Sequence, residues 1–324
     1  MLRPVLSALA VTLALALPAR ADVIERTFEV GPGGTLTVET DRGAIEVVAT
    51  DSGTVTVRVE RQERPGGEEA DHAVSFDQSG SDVTVRGETE RSGLWGWRSS
   101  RVRVAYRVEV PRRFDLGLDT AGGDIEIDGL EGEVRAETSG GDIGLGAIVG
   151  PVDAHTSGGD IVLDGSTGDA RLETSGGDIE IGAVEGSVDA ETSGGDVTVR
   201  RARGDVRAET SGGTIDIDEV FGTVEAHSSG GDVRARLASQ PRADCRLSTS
   251  GGDVVVYLAE GIGAAIDAST SGGSVTVEMP VTVSGTIGRS QLRGTVGGGG
   301  PQLYLRTSGG DIEILQLVRT GQSL

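Results

Sequence analysis

The chain has 324 residues, a formal net charge of −22, 36% hydrophobic and only 3% aromatic residues, and a single cysteine; every one of its basic residues is arginine. Such acidity repels nucleic acid and anionic membrane surfaces, so neither is expected as a partner. Cys245 alone excludes an internal disulfide. So few aromatic side chains exclude an ordinary globular core and favour one packed from small and β-branched residues.

Residues 1–21 read as a secretory signal peptide. Arg3 supplies a positive start, Val5 to Leu17 is an apolar stretch too short to span a bilayer, and Ala19-Arg20-Ala21 is a small-residue cleavage site before Asp22. No cysteine follows directly after the cut, which argues against a lipid anchor, and no second apolar segment occurs. The expectation is an exported chain without membrane insertion, in the periplasm or at the cell surface.

Residues 22–121 read as irregular N-terminal β coils and a cap. The segments 35–40, 44–50, 54–60, 73–77, 82–88 and 101–110 alternate apolar and polar residues as strands do. A separate β-sandwich is the alternative reading of this region. Two insertions interrupt it, RPGGEEAD at 64–71 and RSGLWGWRSS at 91–100, and His72 is read as part of a polar insertion. Trp95 and Trp97 lie two residues apart in the second. They are candidates either to cap an open end of the fold or to contact a ligand, by stacking on a sugar ring or anchoring a protein.

From residue 122 to 324 the chain is built on an 18-residue unit, GGDIxI followed by a glycine turn and xVxAxTS, repeated six times in strict form and four times loosely. A short fixed period means one structural unit stacked on itself. The residue after GGD is Ile125, Ile143, Ile161, Ile179, Val197 and Ile215 in successive copies, and the residue two further on is also aliphatic. A spacing of two puts both columns on one face of a strand. Val134, Val152 and Ala170 with Ala136, Ala154 and Leu172 begin a matching pair of columns in the second half-unit. The expected fold is therefore all-β, a parallel β-solenoid with 18-residue coils and two short strands per coil, about 50 Å long at ~4.8 Å per coil. The paired glycines are expected to permit positive φ at the turns. An insertion interrupts the repeats at 279–301.

Three columns invite functional readings. Arg135, Asp153, Arg171, Asp189, Arg207 and Glu225 alternate in sign, which places each arginine beside an acid if coils stack in register. The aspartates of GGD could bind Ca²⁺, yet their spacing differs from calcium-binding nonapeptide repeats, and Thr214 and Ser274 replace them in two copies; turn capping is expected. The threonines starting at Thr138 are expected to be satisfied inward or turn hydroxyls. His155 and His227 share a column but sit four coils apart, roughly 19 Å, so they cannot share a metal or a proton.

The T-S-G-G-D-I-x-I units, the segment YRVEVPRRFDLGLDTAGGDIEI at 106–127 and the segment GGGGPQLYLRTSGGDIEIL at 297–315 resemble the bacterial "putative adhesin" family of envelope β-repeat proteins. That family is a domain of unknown function related to auto-transporter adhesin heads. The resemblance covers nearly all of the chain after the signal segment. It implies a β-solenoid at the cell envelope with an adhesive role, and it brings no catalytic residues. No translocator barrel follows before Leu324, so periplasmic residence or passage by other machinery is expected as readily as surface display.

The functional expectation is a non-enzymatic structural or adhesive module that needs no cofactor and no metal. It would bind an envelope or surface protein, or a glycan, by repeated weak contacts along a ladder face. The alternatives are a periplasmic envelope-stress or signalling accessory that binds a protein through the cap or the 279–301 insertion, and a carbohydrate-active β-helix enzyme. Against the enzyme stand the tight coils, the missing lysine and the few long loops.

Overall fold

The computed structural model describes residues 21–63, 72–89 and 102–317, and every regular element among them is a β-strand. The signal segment, apart from Ala21, lies outside the described residues. Two sheets of 15 strands each face one another across a single aliphatic core. One, called sheet 1, holds the first strand of each coil, such as Ile143–Val149 and Ile161–Ser166; the other, sheet 2, holds the second, such as Val152–Thr156 and Ala170–Thr174.

The period-two columns explain why these segments are strands and which face turns inward. In sheet 1, Ile125, Ile143, Ile161, Ile179, Val197 and Ile215 pair in parallel, one directly above the next, and all are at most 1% exposed. Val134, Val152, Ala170, Val188, Val206 and Val224 do the same in sheet 2. A third core column escapes the simple alternation. Leu130, Ile148, Ser166, Val184, Ala202 and Val220 are buried three residues after the second column, because two consecutive outward residues bend each sheet 1 strand round a corner.

Backbone groups at the coil boundary are satisfied by a repeating pattern. Thr138, Thr156, Thr174, Thr192 and Thr210 are buried, and each hydroxyl donates to the carbonyl of a glycine in the preceding boundary turn, Gly123 to Gly195, at 2.8–2.9 Å. Each bond contributes about 1 kcal/mol. The aspartates behave differently from the expected turn caps. Oδ1 of Asp124 accepts the N–H of Asp142, and so on through Asp160 and Asp178 to Asp196, so the column is a ladder between coils. A carboxylate suits this because it only accepts, and the residue above offers only its backbone donor.

The paired glycines also differ from expectation. None of those at the coil boundaries of 122–310 has φ in the left-handed range, which is reached instead at loop glycines such as Gly33, Gly43, Gly80 and Gly261. The second glycine of each pair is needed for close approach. A Cβ at Gly159, Gly177 or Gly195 would overlap the carbonyl oxygen of the equivalent glycine one coil earlier.

At both ends the order in space departs from the order in the chain. The last coil, Gln302–Thr307 with Ile312–Gln316, lies between the coil of Cys245–Thr249 and that of Ala264–Thr270, so the tenth copy is the penultimate layer. The insertion forms an antiparallel hairpin, Thr282–Gly288 with Gln291–Val296, laid on Ala264–Thr270 at the end of sheet 2. At the other end, Thr35–Thr40 and Ala44–Thr50 are enclosed between strands of 82–111 and 115–127. Antiparallel strands Ala21–Glu29, Thr54–Glu63 and His72–Ser79 close that end. Turning the last strands antiparallel covers the open core edge that a bare coil would present.

Candidate ligand groove

The outer face of sheet 2 carries a shallow groove of about 640 Å³ running across its coils from Glu133 to Arg246. Its floor is the backbone at the start of the sheet 2 strands, where Val152, Ala170, Val188 and Val206 turn their side chains into the core. Its two walls are the outward residues on either side. One wall is the sign-alternating column, and the pairing of Asp153 with Arg171, Arg171 with Asp189, and Asp189 with Arg207 establishes the expected in-register stacking. Arg207 reaches Asp189 at 3.0 Å and Glu209 at 2.7 Å. These pairs are exposed, so each contributes a few tenths of a kcal/mol and serves register more than stability.

The opposite wall was not singled out by sequence. Asp169, Asp205 and Asp244 alternate along it with Ser187, Thr223 and Gln302, and each aspartate Oδ1 accepts the N–H of the next coil's residue at 2.7–2.9 Å. At Asp205 the backbone N–H of Thr223 holds the carboxyl below its ordinary value of 3.8. Beyond Arg246 the column of the first wall continues with the half-buried Tyr304, whose ring lies 5.3 Å from the Arg246 guanidinium, and then with Asp267. The signal that could have found this wall is the residue just before each sheet 2 valine or alanine.

A second constellation lies at the N-terminal end. His72 is 1% exposed, not part of a solvated insertion. Its Nε2 lies 2.6 Å from the Tyr106 hydroxyl and its Nδ1 3.0 Å from the Thr89 hydroxyl, with Asp41 at 3.6 Å. The Tyr106 hydroxyl also meets Thr40 at 3.1 Å, and only a glycine at position 87 leaves room for it. Burial pushes Tyr106 up to about 12. Burial, opposed by Asp41 and reinforced by Arg42 and Arg61, pushes His72 below its ordinary 6.5.

The unfolded chain therefore binds a proton at His72 more readily than the folded one. The stability held there is complete above about pH 6.5 and is lost as pH falls through the lower folded value. The urea midpoint should be lower near pH 5 than near pH 7.5, and His72→Gln should shrink that difference. Equal pH dependence in both proteins would contradict the assignment.

The remaining candidates are quickly placed. Trp95 and Trp97 lie outside the described residues. His155 and His227 sit on the outer face of sheet 2, four coils apart as expected. Among the described residues no group of three or more His, Cys, Asp or Glu side chains is arranged to hold a metal ion, and no helix is long and apolar enough to cross a membrane.

Two facing sheets, parallel and in register through the repeats, define a glycine-punctuated β-solenoid. The chain belongs to the Toastrack DUF4097 family, whose model matches residues 34–218 and 202–315. Among solved structures it is similar to a "putative cell adhesion protein" from Clostridium sporogenes ATCC 15579, at 11% identity over 91% of this chain and 100% of that one, TM-score 0.25. It is also similar to a "putative adhesin" from Parabacteroides distasonis ATCC 8503, at 13% identity over 72% of this chain and 97% of that one, TM-score 0.41. A "putative lipid binding protein" from the same organism is similar at 13% identity over 92% and 98%, TM-score 0.37. Likenesses this distant say nothing of what the chain binds. No curated protein matches the chain.

Proposed function

We propose that the chain is a non-enzymatic, exported structural and adhesive module of the bacterial cell envelope, binding through contacts repeated along the sheet 2 groove. The observation that supports this reading is the form of the groove. It crosses coil after coil with recurrent residue types, whereas catalysis calls for one nucleophile, base or metal set held in a single constellation. Weak contacts repeated on a rigid rod gain by multivalency.

Cosedimentation with isolated cell-envelope fragments tests the reading. The full chain should sediment with them, and replacing Arg171 and Arg207 by alanine should release it. A chain that stays in the supernatant, or that liberates reducing ends from envelope polysaccharide, would overturn it.

A further inference from the structure

We infer that the sheet 2 groove takes a linear, uncharged β-1,4-linked glycan, laid along the solenoid axis with one disaccharide to every two coils. This rests on the adhesive reading above and names its ligand. The basis is a second period that the 18-residue unit conceals. On one wall Asp169, Asp205 and Asp244 recur in every other coil; on the other Arg171, Arg207 and Arg246 recur in the same coils. The coils between offer Ser187 with Asp189, and Thr223 with Glu225. The groove thus repeats every two coils, ~9.6 Å at a strand spacing of ~4.8 Å.

That distance discriminates among extended polymers. A polypeptide strand presents like side chains every ~6.8 Å, two residues at ~3.4 Å each, and falls out of step within two repeats. Nucleic acid is excluded by charge. In a β-1,4-linked chain successive sugars are flipped, so equivalent hydroxyls recur once per disaccharide, an advance of ~10.3 Å that stays within about 1 Å of the ~9.6 Å of two coils at each repeat. Carboxylate and guanidinium walls suit hydroxyl pairs, one side accepting and the other donating. Oδ1 of Asp169 and of Asp244 is taken by backbone, and among the described residues Oδ2 of each has no hydrogen-bond partner.

Charge and shape narrow the class. Seven carboxylates line the groove against three arginines, so an acidic polysaccharide would be repelled. A volume of about 640 Å³ accommodates several sugars of an extended chain. Tyr304 follows Arg246 in the same column just past the groove lining; the Arg246 guanidinium lies over one face of its ring, and the opposite face is the one on which a sugar ring can stack.

Calorimetric titration of the full chain with cellohexaose and chitohexaose tests the inference. At least one hexamer should bind, with affinity rising from disaccharide to hexasaccharide in steps of two sugars. Arg171→Ala with Arg207→Ala, and separately Tyr304→Ala, should each weaken binding by about tenfold or more. Glu180→Gln, on the exposed face of sheet 1, should leave it unchanged. Thermal melts of all variants separate lost contacts from lost folding. Absence of binding by both hexamers, binding indifferent to the groove substitutions, or tighter binding of an acidic hexagalacturonate would overturn the inference. If envelope cosedimentation persists while both hexamers fail, the glycan assignment falls and the adhesive reading stands; if cosedimentation also fails, both fall.

Discussion

Alanine at Gly177 is expected to destabilise the protein by about 3 kcal/mol or more, while alanine at the adjacent Gly176 costs less than about 1 kcal/mol. The two glycines share a turn and neither has a left-handed φ, so conformational freedom does not separate them. Distance does. A Cβ on Gly176 would stand 3.4 Å from the carbonyl oxygen of Gly158, an ordinary contact. One on Gly177 would overlap the carbonyl oxygen of Gly159 and press on Oδ1 of Asp160 at 2.5 Å.

Neither obstacle can step aside. The Gly159 carbonyl also accepts the Thr174 hydroxyl at 2.9 Å, and Asp160 Oδ1 accepts the N–H of Asp178 at 2.8 Å. The coils would have to part, and the core columns on both sheets would part with them. Urea unfolding of the two variants measures the difference. Equal destabilisation would mean that the glycines serve the turn and not the approach of one coil to the next.

Much of the architecture was legible because a solenoid repeats its chemistry. Ile143 beside Ile161, or Val152 beside Ala170, can be read from the period alone, since each coil meets the same neighbour at the same offset. The N-terminal strands were legible for the simpler reason that 35–40 and 82–88 alternate cleanly and are buried on one face, as 44–50 is through Val47.

What stayed hidden depends on partners far away in the chain. Leu247 meets Leu305 and not Ala268, yet all three residues are apolar and sit at equivalent positions, so no local pattern ranks the two neighbours. His72 follows RPGGEEAD and looks solvated; its burial is set by Tyr106, 34 residues on. The groove was half legible. The alternation of arginine and acid is plain in the sequence, but the Asp169, Asp205 and Asp244 wall becomes visible only once both columns are seen to flank one strip of backbone.

Cysteine cross-linking at the C-terminal end tests the stacking most directly, because it asks at once about register and about layer order. Ser248 and Arg306 are paired on neighbouring strands, and Arg306 is paired in turn with Ser269. Adjacent in-register positions lie ~4.8 Å apart, inside the ~4.4–6.8 Å that a disulfide spans, while two layers lie ~9.6 Å apart, outside it. Cys245 is buried and burial pushes its thiol up, which keeps it out of exchange. Under mild oxidation the Ser248→Cys, Arg306→Cys protein should form the bridge nearly completely, and the Ser248→Cys, Ser269→Cys protein should remain reduced. The reverse outcome would show coils stacked in chain order, and no bridge in either protein would contradict in-register stacking itself.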